Sequence, residues 1–399
     1  MDFPFGGDPD AFADAPLFRE LQRVMSSSSG PVNWELARQV GIANAQEGRE
    51  DPAPTDHDRE LLEEVVRVAE LHVARFTGLE PPSDVAEVRP VRRAEWVTAN
   101  TESLRELLDP AAQRIASAMG EATNGMLPGG ADALPEALRD QGVDAAQLGA
   151  LLQQLSPLLL GAQVGTVLGF LGQRVLGQYD VAVPRSGHAA LLFVVPNLAA
   201  FERDWSLDPT EFRTLIAIHE VTHRFEFARP WARDRFTELL TDFLSTITID
   251  VGAMQERLAR LDGADPDAMQ SLMGSEEGLF GTVLDDEQRI KLGRIQAFMA
   301  AAEGYGDHVM QTLGRQLLST YGRIDEARKR LDAEPSTVLL SRLFGVDVGE
   351  EDLAKGAAFC DTVATEASED VLARMWDDPD AMPSTVELET PSLWISRSL

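Results

Sequence analysis

Two histidines stand four residues apart with a glutamate beside the first: His219-Glu220-Val221-Thr222-His223. On a helix, positions four apart share a face, so both imidazoles can converge on one divalent ion. Neutral imidazole is a good zinc ligand. Glu220, one position on, points toward the adjacent side, from which it can take a proton from water activated by the ion. Leu215, Ile216, Ile218, Phe225 and Phe227 flank the motif. Such apolar flanks predict a buried helix that holds its ligands rigidly, rather than a surface helix with two solvated histidines. The single cysteine, Cys360, cannot supply the thiolate set of a closed structural zinc site. Its context predicts a small buried apolar residue. An open catalytic site fits better, and the expected chemistry is zinc-dependent hydrolysis of a peptide or a small amide.

A third ligand must come from elsewhere. The Gly and His that would extend the motif into a three-histidine pattern are replaced by Glu226 and Arg229. Two later segments offer Glu-x-x-x-Asp: Glu238 with Asp242, and Glu303 with Asp307. In either, the Glu could bind zinc while the Asp accepts the second N–H of a ligating imidazole. Glu238 follows closely after Pro230, on a helix able to fold back. Glu303 lies among Ala300, Ala301, Ala302, Gly304 and Gly306, small residues that allow another backbone to approach. A carboxylate there is costly to bury unless it binds something. That favours Glu303, with Asp307 as the acceptor for the imidazole N–H, and leaves Glu238 open. Tyr305 and His308, both near Glu303, are candidate donors to an oxyanion, and His188 is a third. The competing reading for each is ordinary packing or exposure. Arg224 is expected to pair structurally with a carboxylate, and His57 and His72 have no expected role.

The elements that must position these residues are mostly helical. Ala, Leu, Glu, Arg and Gln are abundant, and 44% of the 399 residues are apolar. Residues 1–30 read as a flexible tail. Asn33 is a predicted cap for a helix over 34–47, and 56–76 carries apolar residues at helical spacing. Helices are expected over 93–107 and 110–119, then a glycine-rich loop over 120–147. The most apolar stretch is 148–176, with Gly161, Gly165 and Gly169 on one face. Its glutamines, Arg174 and a break at Pro157 argue against a membrane span. Residues 179–183 and 189–195 read as a β-hairpin, and 189–195 as an edge strand for a peptide substrate. After 208 the chain is helical until an extended segment over 383–397. The expected fold class is mainly α with a small β-hairpin or sheet. The N-terminal helical region 31–147 and the catalytic region 148–399 are expected to form one continuous globule. The net charge of −31, from 35 basic and 66 acidic residues, argues against nucleic-acid and membrane partners. The acidic N-terminus has no secretory signal, which makes the cytoplasm the default location.

Pieces spread over most of the chain resemble a known family. They are Val32-Asn33-Trp34, Gly177-Gln178-Tyr179-Asp180, Val195-Pro196-Asn197, the His219–His223 motif, Pro230-Trp231, Glu303-Gly304 with Val309-Met310, Pro383 and the segment 394–397. In these the chain is similar to the zincin-like hydrolases common in actinobacteria and their neighbours, some of them associated with deazaflavin-coenzyme biosynthesis. The resemblance implies a zincin-like metalloprotease fold and zinc as cofactor, and it raises Glu303 above Glu238 as third ligand. It implies no particular substrate.

Overall fold

The computed structural model describes residues 30–125, 145–180, 190–246, 285–330 and 350–399. Its first helix, α1 (Trp34–Gln46), starts where Asn33 caps it, the side chain accepting from Leu36 N at 2.9 Å. A reciprocal Thr55–Asp58 capping box opens α2 (Asp56–Thr77), and Gly78 closes it in the left-handed region. Strand β1 (Val88–Val91) leads to α3 (Arg93–Gly125), which runs unbroken where two helices were expected. Of the expected loop over 120–147, residues 120–125 end α3 and 145–147 begin α4, while 126–144 lie outside the described residues.

Helix α4 (Ala145–Gly172) continues through Pro157, contrary to the expected break. Packing outweighs the local cost of the proline here. The glycine face seats α4 on α1: a Cβ on Gly165 would lie 2.5 Å from the Ala37 carbonyl oxygen. The Pro157 carbonyl itself accepts from Asn33 N at 2.8 Å.

Of the expected hairpin only the second strand is described, and it pairs with a strand far away in sequence. Strand β2 (Leu191–Val194) pairs with β1 in parallel, with Val88 opposite Leu191 and Val91 opposite Val194. Parallel strands require a long crossover, which α3 and α4 supply. Residues 181–189 lie outside the described set. Gly177 makes only an isolated antiparallel bridge to Phe193, and Val194 N donates to the Leu176 carbonyl at 2.9 Å. The strand is buried along its length, so the edge expected to receive a peptide is covered by the chain itself over 193–194.

Beyond β2 come α5 (Val195–Trp205) and α6 (Pro209–Phe227), the latter capped by Asp208. Every residue from Leu215 to Phe227 is buried. Each large apolar side chain there contributes about 1.5–3 kcal/mol by leaving water. Two arginines strap α6 in place. Arg213 donates to Glu202 at 2.7 Å and Asp58 at 2.8 Å. Arg224 donates to Glu70 at 3.0 Å and to the Asp84 carbonyl at 2.8 Å, in keeping with the structural role expected of it.

Next follow α7 (Pro230–Leu244), α8 (Asp286–Leu317) and α9 (Tyr321–Arg328). The C-terminal helices are α10 (Glu350–Glu366), α11 (Glu369–Ala373), α12 (Thr385–Glu389) and α13 (Pro391–Ser398). Helix α8 lies between α6 and α10. Gly304 and Gly356 let α8 and α10 touch backbone to backbone, since a Cβ on either would strike the other helix. The segment expected to be extended over 383–397 is two short helices. A Ser384–Glu387 capping box starts one, Pro391 opens the other, and buried Trp394 anchors both by donating to the Ala381 carbonyl at 2.7 Å. The alternation of small polar residues there reflects caps and not a strand. Among the described residues no helix is long and apolar enough to cross a membrane.

Candidate metal centre

Helix α6 presents His219 and His223 one turn apart, with their Nε2 atoms 3.2 Å from each other. The rings meet edge to face, with centroids 4.5 Å apart. Glu303, from α8, places Oε2 3.8 Å from His223 Nε2. Potential ligand atoms of all three lie within 4.8 Å of one another. Two ligands bound tetrahedrally at zinc–nitrogen distances would stand about 3.3 Å apart, so the set fits a zinc ion with little rearrangement. Gly306 makes this approach possible. A Cβ there would lie 2.8 Å from both Cε1 and Nε2 of His223.

Glu220 is wholly buried on the other side of His219. Its Oε2 accepts from the backbone N–H groups of Gln178 at 2.7 Å and Tyr179 at 2.9 Å. Its Oε1 lies 3.7 Å from His219 Nδ1. Gly177 passes so close to the carboxylate that a Cβ would occupy the same space. The 176–180 turn is itself anchored. Trp96 Nε1 donates to the Gly177 carbonyl at 3.1 Å, and Asp180 Oδ2 accepts from the Leu176 and Gly177 N–H groups. Asp180 Oδ1 then faces His219 Nδ1 at 4.0 Å. Asp180, His219 and Glu220 thus form a second cluster of possible ligand atoms sharing one imidazole with the first.

The electrostatics separate the two imidazoles. Burial, helped by the charge on His223, drives His219 down to about 3. Burial also disfavours charge on His223, but Glu226, by charge and hydrogen bond, and then Glu303 and Glu220, outweigh it and push His223 up to about 9. Burial and the neighbouring Glu220 raise Asp180. Four carboxylates around two imidazoles therefore favour a positive charge between the rings, and a proton on His223 stands where a cation would.

The profile of a family described as zincin-like metallopeptidases matches residues 32–395. The chain belongs to that family. The crystal structure of a protein from Chloroflexus aurantiacus, described as "a putative hydrolase with a novel fold", is 30% identical. It aligns with a TM-score of 0.62 over 92% of this chain and 98% of its own. A search of curated proteins finds no match.

Within this zincin-like chain, the other predicted site residues fall in different places. Glu238 lies exposed on α7, paired with Arg235 at 2.9 Å, away from the histidine–Glu303 cluster. Asp307 accepts from Arg328 at 3.3 Å; the carboxylates facing the outer nitrogens of the imidazoles are Glu226 and Asp180. Tyr305 sits roughly 200° around α8 from Glu303 and packs buried against Trp376, with ring centroids 6.0 Å apart. Burial, then the Glu226 charge, raises its hydroxyl well above the usual range. His308 is clasped by Asp361 at 2.8 Å and Glu369 at 3.0 Å, joining α8 to α10 and α11. Neither residue is brought to the histidine pair. His188 lies outside the described residues. Cys360 is fully buried.

The sequence reading named Gly306 for close approach but missed the places of Glu226, Asp180 and Gly177 beside the imidazoles. The Glu226 signal was present, three positions after His223 on the same helix. Asp180 had no spacing that tied it to the motif.

Proposed function

We propose that the chain is a zinc-dependent hydrolase of amide bonds, with His219, His223 and Glu303 as metal ligands and Glu220 as general base. The observation that carries this reading is the convergence of three ligand atoms within 4.8 Å beside a carboxylate fixed by two backbone N–H groups. When bound, zinc supplies Lewis-acid polarisation of a carbonyl and lowers the pKa of a coordinated water. Glu220 takes the proton of the attacking water and delivers it to the departing nitrogen. The hydrogen bonds from Gln178 and Tyr179 to Oε2 fix the carboxylate with Oε1 toward His219. His223 and Phe227 stack at 5.7 Å, and Tyr179 packs against both rings, so the ligand helix presents a dry wall behind the ion.

A peptide is the substrate class that the family suggests. The low exposure of His219, at 8%, and the complete burial of Glu220 favour a second reading, a small amide in place of an extended polypeptide. The test is Glu220→Gln with zinc content and hydrolysis measured together. It should keep about one zinc per chain and lose hydrolysis of peptide and small-amide libraries by about 100-fold or more. A variant that retains full hydrolysis removes Glu220 from the mechanism. A wild-type protein that gains stability from zinc yet cleaves neither library is a zinc-stabilised binding protein.

A further inference from the structure

We propose that Glu226 is a positioning residue of the metal centre, holding the Nδ1 proton of His223 so that Nε2, turned toward His219 and Glu303, is the nitrogen that gives up its proton to an ion. The inference rests on the metal-centre reading above. Glu226 Oε2 lies 2.7 Å from His223 Nδ1. A carboxylate accepts at that distance, so Nδ1 keeps its proton and Nε2 is the nitrogen that exchanges its own for an ion. That nitrogen is the one 3.2 Å from His219 Nε2 and 3.8 Å from Glu303 Oε2.

The ring has little freedom to choose otherwise. Phe227 stacks on it nearly parallel, at 9°, Tyr179 packs obliquely at 6.2 Å, and Gly306 closes in against Cε1 and Nε2. Packing therefore fixes the plane of the imidazole. Packing does not decide which nitrogen keeps its proton, and Glu226 does.

Stability gives no reason for a carboxylate at this position. Glu226 is 0% exposed, and its Oε1 makes no hydrogen bond among the described residues. Burying a carboxylate on one hydrogen bond is costly, and an apolar side chain would suit the core of α6 better. The second imidazole shows what the alternative looks like. Around His219 Nδ1 the carboxylate oxygens stand at 3.7 and 4.0 Å, beyond hydrogen-bond length. The orientation of His223 is thus set before an ion arrives, and His219 is the ring that adjusts. The ligand helix carries its own orienting group, so the functional unit in the sequence is His219-Glu220-x-x-His223-x-x-Glu226.

The experiment compares full-length wild type, Glu226→Leu, Glu226→Gln and, as a buried carboxylate paired with Arg213, Glu202→Gln, with zinc affinity measured by chelator competition and the Tm of each zinc-free form recorded. Glu226→Leu should weaken zinc by about 10–100-fold. Glu226→Gln should fall between, because its amide oxygen can still accept from Nδ1 while a flipped amide favours the wrong tautomer. Glu202→Gln should bind as wild type. Affinities equal to wild type in both Glu226 variants overturn the proposal, as does an equal loss in Glu202→Gln. A merely structural Glu226 would lower the zinc-free Tm and leave the affinity of the folded variants unchanged. If the leucine variant does not fold, an unchanged affinity in Glu226→Gln alone overturns it. Wild-type protein that takes up no zinc sinks the metal-centre reading and this inference together; zinc-binding wild type with indifferent Glu226 variants sinks only the inference.

Discussion

Glu238 on α7 and Glu303 on α8 stand in the same local pattern, each with an aspartate one helical turn later, yet they end in opposite environments. Around Glu238 the buried positions are Leu239, Leu240, Phe243 and Leu244, so α7 turns its carboxylates outward. Glu238 pairs with Arg235 at 2.9 Å, and Asp242 pairs with Lys291 at the same distance. Around Glu303 most buried positions are alanines and glycines, with Ala300, Ala301, Ala302, Gly304 and Gly306 all enclosed and bulky Tyr305 turned to another side of the helix. Bulky neighbours put one acidic pair on the surface, where a salt bridge contributes little. Small neighbours brought the other within 3.8 Å of an imidazole. Spacing decides which side chains share a face, and the volume of the residues beside them decides what that face can reach.

The largest way to test this contrast is to remove each glutamate in turn. Glu303→Ala should weaken zinc binding by about 100-fold, a few kcal/mol as expected for one ligand of a site worth 10–16 kcal/mol in total. Glu238→Ala should leave zinc affinity unchanged, and chelator competition reads both. A smaller effect comes from filling the space that admits α8. Gly306→Ala sets a methyl group 2.8 Å from His223 Nε2. It should cost about 1–3 kcal/mol in denaturant unfolding and weaken zinc as well. Gly293→Ala, whose Cβ would meet only Thr385 Oγ1 at an ordinary 3.7 Å, should be neutral or slightly stabilising.

The smallest effect concerns how α8 is held from its far side. Burial opposes charge on His308, but Glu369 and Asp361 outweigh it and raise the imidazole above its ordinary 6.5. A raised folded-state value means stabilisation that is complete below about pH 6.5 and is lost as pH climbs through the raised value. His308→Asn should therefore lower Tm most at about pH 6, and the gap from wild type should close in alkaline buffer. Asp361 is 72% exposed, so the full difference should be only about 1 kcal/mol. A constant gap across pH would remove the imidazolium from the account.

Much of this was legible in the residues. Helical periodicity placed α2 within a residue of its observed end, Asn33 marked the start of α1, and the apolar flanks of the histidine motif foretold a buried α6. What failed depended on contacts distant in sequence. Pro157 reads as a break, but α1 lies against the glycine face that follows it. The β-rich run over 189–195 reads as half of a hairpin, but its partner is β1, which precedes two long helices. In the site, the residue types near Glu303 suggested close approach, yet local spacing could not show that Tyr305 packs against Trp376 or that His308 belongs to two carboxylates of α10 and α11. Glu226 could have been found by extending the motif one more turn; Asp180 could not.

The pairing of β1 with β2 also bears on the order in which the molecule can assemble. Val88 and Leu191 are partners separated by 191 − 88 = 103 positions. Closing so long a loop is slow, because its entropy is lost before any strand contact compensates. The turn that grips Glu220 hangs from that strand through Gly177 and Phe193. Helix α6 can form early from local contacts, while the grip on Glu220 waits for the long-range pairing, so a refolding chain brings its two histidines together before Glu220 is fixed beside them.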